Sequence, residues 1–114
     1  MSDSCIFCRI ASKEIPAGIV HEDADLVAFR DASPQAPTHV LVVPKRHIAS
    51  LDDLTDADVQ LLGRLMLAAK QVAATAGLRN GYRVVTNCGA QAGQSVFHIH
   101  LHALGGRPMS WPPG

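Results

Sequence analysis

The stretch GQSVFHIHLHALGG sets His98, His100 and His102 two residues apart, alternating with Ile99 and Leu101. A period of two is the pattern of a β-strand with unlike faces; on a helix the three rings would scatter around the axis. Taken as a strand over residues 96–104, the segment sends the histidines to one face. Phe97, Ile99, Leu101 and Ala103 then point to the other, into a core. Such a strand needs partners along its edges and a cover on its apolar side. The chain must build a sheet around it.

The remaining sequence supplies both. GIVHE and DLVAFRD are short strands joined by DAD, which suits a hairpin. SPQAP is a proline-punctuated loop, and THVLVVP is a β-branched run closed by Pro44. In LTDADVQLLGRLMLAAKQVAATAGL, the residues Val59, Leu62, Leu65, Met66, Ala69, Val72, Ala73 and Ala76 recur at helical spacing. Thr55 is a candidate cap there, Asp56 and Asp58 suit the positive end of the dipole, and Gly77 follows the end. Asn80–Gly81 turns the chain into a fourth strand, YRVVTN. CGAQAGQS is a Gly-rich loop before the histidine strand, which Gly105–Gly106 stops. CIFCRIASKEI is a short N-terminal helix broken by Pro16 and Gly18. The expected class is α+β: a five-stranded, mainly antiparallel sheet with one long helix on a face. A single domain is expected over residues 1–114, with residues 1–4 frayed and 105–114 an extended tail.

Composition narrows the function. The 114 residues are 47% hydrophobic and carry ten basic and ten acidic side chains. A balanced charge gives no footprint for nucleic acid or an anionic membrane. No run approaches the ~20 apolar residues that cross a bilayer, and residues 1–30 lack the apolar core of a secretory signal. Three cysteines do not make a disulfide framework. A reduced, cytoplasmic protein with neither nucleic-acid nor membrane partner is the expectation.

Three readings compete for the histidines. They could be the polar face of a half-buried sheet, but solvent exposure gives no reason to choose a side chain titrating near neutrality. They could hold a metal, although ~13 Å of strand rise separates the outer pair, so all three cannot share one ion. The reading that uses most residues is nucleophilic catalysis. Neutral imidazole attacks phosphorus well and leaves well, through a covalent phospho-histidine. The central ring is best placed, and Ser95 with the amides of QAGQS could meet developing negative charge.

Cys5 and Cys8 form a Cys-x-x-Cys without the βαβ setting of a redox motif. Two soft ligands invite two more, and His47 and His98 are the candidates for a closed structural zinc site. The alternative is a pair of inert buried thiols, with His47 on a solvated basic turn beside Lys45 and Arg46. His39, on a strand, is the rival partner for His98 and could hydrogen-bond the triad instead of binding metal. Cys88 reads as a neutral loop residue and His21 as surface. Arg30 either reaches a phosphate or faces water. The tail GGRPMSWPPG can extend neither strand nor helix.

Several stretches together resemble the histidine triad superfamily: KEIPA, DASPQAPTHVLVVPKRHI, GYRVVTN, GQSVFHIHLHALGGR and WPPG. The similarity is greatest to the histidine triad nucleotide-binding proteins, the purine nucleoside phosphoramidases. It implies a homodimer whose sheets join, with a nucleotide site in each subunit. It implies hydrolysis of the phosphorus–nitrogen bond of adenosine 5′-phosphoramidates, releasing AMP. His100 would be the nucleophile, and His102 and Ser95 would contact the phosphate, one of them protonating the leaving amine. Asn87, Gly93 and Gln94 would line the phosphate side, and Asp31 would bind the ribose hydroxyls. Phe7, Ile15 and Phe29 would form the base slot, loosened by the small Ala32. Without the family, those three apolar residues read equally as core. Met109 and Trp111 would reach the partner's active site. The same chemistry admits a diadenosine polyphosphate hydrolase, and a nucleotide- or zinc-binding interaction module is the reading from another class.

Overall fold

The computed structural model describes residues 4–114. Of the expected frayed end, residues 1–3 lie outside the described residues, and Ser4 is an exposed turn residue. Five strands form one antiparallel sheet: β1 (Ile19–Glu22), β2 (Leu26–Arg30), β3 (Thr38–Pro44), β4 (Tyr82–Val85) and β5 (Leu101–Gly105). Their spatial order is β1-β2-β3-β5-β4. The last strand therefore inserts between β3 and β4, with Leu41 opposite His102 on one side and Val85 opposite His102 on the other. That insertion gives the histidine segment the two partners it needs.

Strand alternation sorts the sheet into two cores. Leu26, Ala28, Val40, Val42, Leu101 and Ala103 face the long helix α2 (Val59–Thr75) and pack on Leu65, Ala68, Ala69 and Val72. Val27, Phe29, Leu41 and Val43 face the other way, beneath the short helix α1 (Ile6–Ala11) with its Phe7 and Ile10. Burial of these side chains, each worth about 1.5–3 kcal/mol when complete, fixes the register, because a one-residue slip would exchange the faces.

The start of α2 is built as its sequence suggests. Thr55 and Asp58 form a reciprocal capping box around a 3-10 turn, Asp56–Asp58, that runs into the helix. Arg46 pairs with the Asp58 carboxylate. At the other end Gly77 adopts φ +74°, and the Leu78 N–H returns to the Ala73 carbonyl.

Two expectations need correction. The apolar stripe of α2 is narrower than the sequence pattern: Val59 and Met66 are 67% and 49% exposed, and Ala76 is exposed too. Val59 and Met66 sit roughly 100–120° round the axis from Leu65, on a flank rather than on the sheet-facing side. The histidine strand is also shorter than residues 96–104. It begins at Leu101, and Phe97 is 49% exposed instead of buried. Pro44 is the reason. It has no N–H with which to continue the β3–β5 ladder, and its carbonyl accepts from the His98 ring instead, at 2.7 Å. The Ile99 N–H goes to the Ile48 carbonyl at 2.7 Å.

Candidate functional site

Because the ladder stops at Leu101, the three histidines are held by three different sets of partners. All three lie on the α1 side of the sheet or just beyond its end, and each ring is fixed by a bond that decides which nitrogen carries the proton.

His98 is fully buried. Its Nε2–H donates to the Pro44 carbonyl, so the Nδ1 lone pair is left for another partner. That atom stands 3.4 Å from Cys5 Sγ, 3.5 Å from Cys8 Sγ and 3.1 Å from His47 Nδ1. Cys8 Sγ is also 3.3 Å from His47 Nδ1. The four donor atoms all lie within 4.8 Å of one another. Bonds of 2.0–2.3 Å in a tetrahedron put donor atoms roughly 3.3–3.8 Å apart, so these residues fit a four-coordinate ion. Helix α1 supplies both thiols from one turn, and the Cys8 N–H donates to Cys5 Sγ. Burial depresses His98 below the ordinary histidine range, against the opposing pull of the Pro44 carbonyl, so the ring is neutral as a ligand must be.

His100 is 6% exposed. Its Nδ1 lies 2.8 Å from the His98 carbonyl, to which only an N–H can donate. Nε2 therefore keeps its lone pair. Phe7 meets this ring edge-on, with centroids 5.1 Å apart, and the His102 ring is 4.9 Å away. Thr86 Oγ1 donates to the His100 carbonyl at 2.8 Å, pinning the backbone beyond the end of β4.

His102 is oriented by a relay. The Gln35 backbone N–H donates to His39 Nδ1 at 3.0 Å, which puts the His39 proton on Nε2. That nitrogen is 2.9 Å from His102 Nδ1 and 3.4 Å from Asp31 Oδ2. His102 Nδ1 is then an acceptor, and its proton sits on Nε2. Among the described residues, that buried Nε2 has no partner. Asp31, His39 and His102 also have the spacing of a metal group. The Gln35 N–H argues otherwise, because it leaves His39 no lone pair on Nε2 to give a cation. The cluster is a hydrogen-bonded relay. His39 thus partners His102, while His98 belongs with the thiols.

The other expected site residues lie in the α1-side core, the loop after β2 and the Gly-rich loop. Phe7, Phe29 and Ile15 share the α1-side core, and Phe7 and Phe29 stack edge to face at 5.4 Å. Ala32 is exposed at the mouth of the loop after β2, and Asp31 holds that loop by accepting from the Ser33 N–H at 2.8 Å. In the Gly-rich loop, Asn87 lies beside Gly93, where a Cβ would stand 3.9 Å from its Nδ2. Ser95 is exposed. The Gln94 side chain is spent on the loop itself, donating to the Ala49 and Val96 carbonyls and accepting from the Gly89 N–H. Only its backbone is left to face a ligand. Arg30 shares the face of Leu26 and Ala28, toward α2, and so does not reach the histidines. The sequence reading missed Pro44, Gln35, Thr86 and Ile48, all of which act through backbone groups or a hydroxyl. Of these, only Pro44 carried a signal, as a proline closing a strand.

Comparison with known proteins gives the family. Residues 4–111 match the family model described as scavenger mRNA decapping enzyme C-term binding. A HIT-like (histidine triad-like) protein from Synechocystis sp. is 54% identical over 114 residues, the full length of both chains. The chain belongs to the histidine triad family. Among solved structures of the family, a hydrolase from Legionella pneumophila superposes with a TM-score of 0.96 at 54% identity, covering 97% of this chain and 100% of that one. A histidine triad nucleotide-binding protein from Candida albicans superposes with a TM-score of 0.82 at 33% identity, covering 97% and 85%.

Burial, reinforced by the neighbouring His100 and His39 and opposed by Asp31, lowers His102 from 6.5 to about 4. Between those values an unfolded histidine binds a proton that the folded ring refuses, so the unfolded chain holds more protons. The stability due to neutral His102 is present above about pH 6.5 and is lost as pH falls toward 4. His39 is lowered too, first by burial, and contributes with the same sign. Urea unfolding at pH 7, 6 and 5 should therefore show wild type losing stability faster than His102→Gln. Parallel losses in the two proteins would show that His102 is not held neutral by the fold.

Proposed function

We propose that this histidine triad protein is a nucleotidyl hydrolase, and that it cleaves the phosphorus–nitrogen bond of adenosine 5′-phosphoramidates. The observation that carries the reading is the pairing of His100 Nε2, a lone pair with its proton fixed on the far nitrogen, with His102 Nε2–H, a buried donor lacking an acceptor. A nucleophile beside an unsatisfied donor is what attack on a phosphate ester or amide requires. The Legionella and Candida relatives, described as a hydrolase and as a nucleotide-binding protein, support the same class.

In this mechanism His100 Nε2 forms a bond to phosphorus as the P–N bond breaks. The ring becomes cationic, and the His98 carbonyl, accepting from Nδ1–H, stabilises that charge. His102 Nε2–H holds a non-bridging phosphate oxygen. With its value near 4, His102 is neutral at pH 7 and has no spare proton for the leaving amine. That proton comes from solvent through the Ser95 hydroxyl. Water then attacks phosphorus and gives up a proton to solvent, the His100–P bond breaks, and AMP leaves with His100 neutral again. Asn87 and the Gly93, Gln94 and Ser95 backbone border the phosphate, Asp31 binds the ribose, and Phe7, Ile15 and Phe29 enclose the base beside Ala32.

The cysteine–histidine group is read as a structural zinc site, supported by its donor spacing and by the Nε2–H bond that leaves His98 Nδ1 free. Zinc there ties α1 to the end of β3 and to the histidine segment, and takes no part in the reaction. The protein is also read as a homodimer. Its support is the open edge of β4 with the adjacent uncovered flank of α2, Val59 and Met66. A cytoplasmic location follows the expectation from cysteine usage. No described helix is long and apolar enough to cross a membrane.

Three measurements test these readings. Brief mixing with an adenosine phosphoramidate and acid quenching should leave an AMP adduct on wild type, mapping to SVFHIHLHALGGR. His100→Ala should show no adduct and lose at least about 10³-fold in turnover while still binding AMP. AMP binding without turnover in wild type would replace the enzyme with a binding module. Metal analysis should find one zinc per chain, and Cys8→Ser should lose it and unfold at lower temperature; equal stability with and without chelator would remove zinc from the structure. Light scattering at micromolar concentration should give twice the chain mass, and a monomer there would overturn the dimer.

A further inference from the structure

The opposite face of the sheet carries a cavity. α2 packs chiefly on β5 and β3. A groove of about 680 Å3 therefore opens between the C-terminal half of the helix and β1. Its volume is in the range of small-molecule sites, and its lining combines apolar side chains with a few polar ones. Val20, Val40 and Val72 supply apolar surface; Arg30, Gln71 and Thr75 supply polar groups.

Two features show how the fold shapes this groove. The β1–β2 register shifts between Ile19 and His21, a bulge that brings the consecutive residues Val20 and His21 to the groove wall. Arg30 lies across Gly18, where even a Cβ would come within 3.3 Å of its Nη1. Arg46 and Arg64 are paired with Asp58 and Asp25. The Arg30 guanidinium, by contrast, has neither a hydrogen bond nor an ion pair among the described residues. The nearby carboxylates are otherwise engaged: Asp31 accepts from the Ser33 N–H and lies 3.4 Å from His39, and Asp23 accepts from two backbone N–H groups and lies 3.9 Å from His21.

We propose that this groove binds a small amphipathic anion, its oxyanion head on Arg30 and its apolar body along Val20, Val40 and Val72. A guanidinium without an acceptor beside an apolar wall is complementary to such a ligand and to neither a cation nor a neutral sugar. Asp31 and His39 belong to the wall as well as to the relay behind His102. An occupant therefore touches the residues that orient the catalytic face, but its binding does not depend on the reaction assigned there.

The test is a titration followed by amide NMR, with octanoate, octyl phosphate and octanol as probes. The charged probes should shift Val20, Arg30, Gln71 and Thr75 saturably in the low-millimolar range or below. Octanol should bind about tenfold more weakly, the loss of one charge-assisted contact. Arg30→Gln should abolish the difference between octanoate and octanol, and Gln71→Trp, at an exposed helix position, should block all three. The better of the two anions identifies the head group. Equal binding of octanol, no saturation by either anion, or shifts centred on Phe7 or on the Met66 flank would each overturn the site.

Discussion

The carbonyl of Pro44 is the group on which the site depends. A proline closing β3 cannot donate to the next strand, so the sheet ends there and the chain that follows must be held by something else. His98 fills that role: its Nε2–H takes the Pro44 carbonyl. This one bond stops β5 at Leu101, fixes the His98 tautomer and turns its Nδ1 toward the two thiols. It also determines what His100 finds next to it, because the backbone at His98 is anchored and its carbonyl is free to accept from the His100 ring. Three identical side chains in alternating positions thus acquire three sets of partners, with the proton on Nε2 in His98 and His102 and on Nδ1 in His100. In the proposed reading one offers a lone pair to a metal group, one a lone pair to an electrophile, and one an N–H to an anion.

The same comparison separates the two clusters that have the spacing of metal sites. Distance alone does not distinguish them, since each brings histidine and acidic or thiol atoms within a few ångströms. What distinguishes them is where the backbone has already committed the second nitrogen. At His98 a carbonyl takes the proton-bearing side and leaves a lone pair; at His39 an N–H takes the lone pair and leaves a proton. The first can ligate and the second can only donate. The second nitrogen of a histidine thus decides its role as much as its neighbours do.

Much of the fold was legible because it rests on periodicity. The five strands, the long helix with its Thr55 cap and Gly77 stop, and the antiparallel arrangement all follow from patterns of two and 3.6 and from turn chemistry. The rest depends on single backbone groups. Nothing in the residue types announces that Pro44 would end the ladder early and leave Phe97 exposed, or that Gln35 would donate to His39. The flank bearing Val59 and Met66 was read as core because apolar spacing does not say which of two adjacent helix faces meets the sheet. Within the site, the grouping of Cys5, Cys8, His47 and His98 could be read from ligand chemistry. A hydrogen bond from His39 to the triad was open to the same reasoning, but that His102 is its partner and that a loop amide, Gln35 N–H, orients it could not be read from residue types.

His98 joins the two halves of the site, and it does so with different atoms. Its ring belongs to the thiol group, while its carbonyl holds His100. A substitution at 98 therefore removes the ring and its bond to Pro44 but keeps a carbonyl at that position, and its effect on His100 depends on whether the backbone stays where Ile48 holds it. The Ile99 N–H bond to Ile48 and the Thr86 bond to the His100 carbonyl brace the backbone on both sides of that link. Neither involves a side chain of the cysteine–histidine group. The arrangement at His100 is thus braced by one backbone bond and one hydroxyl bond that lie outside that group. A metal held by the cysteine–histidine group, as proposed, would add a cross-link from α1, whose Phe7 forms the wall against which the His100 ring rests. Loss of that cross-link would reach the proposed nucleophile mainly through the position of Phe7, and so first in how the ring is walled and only then in which nitrogen it presents.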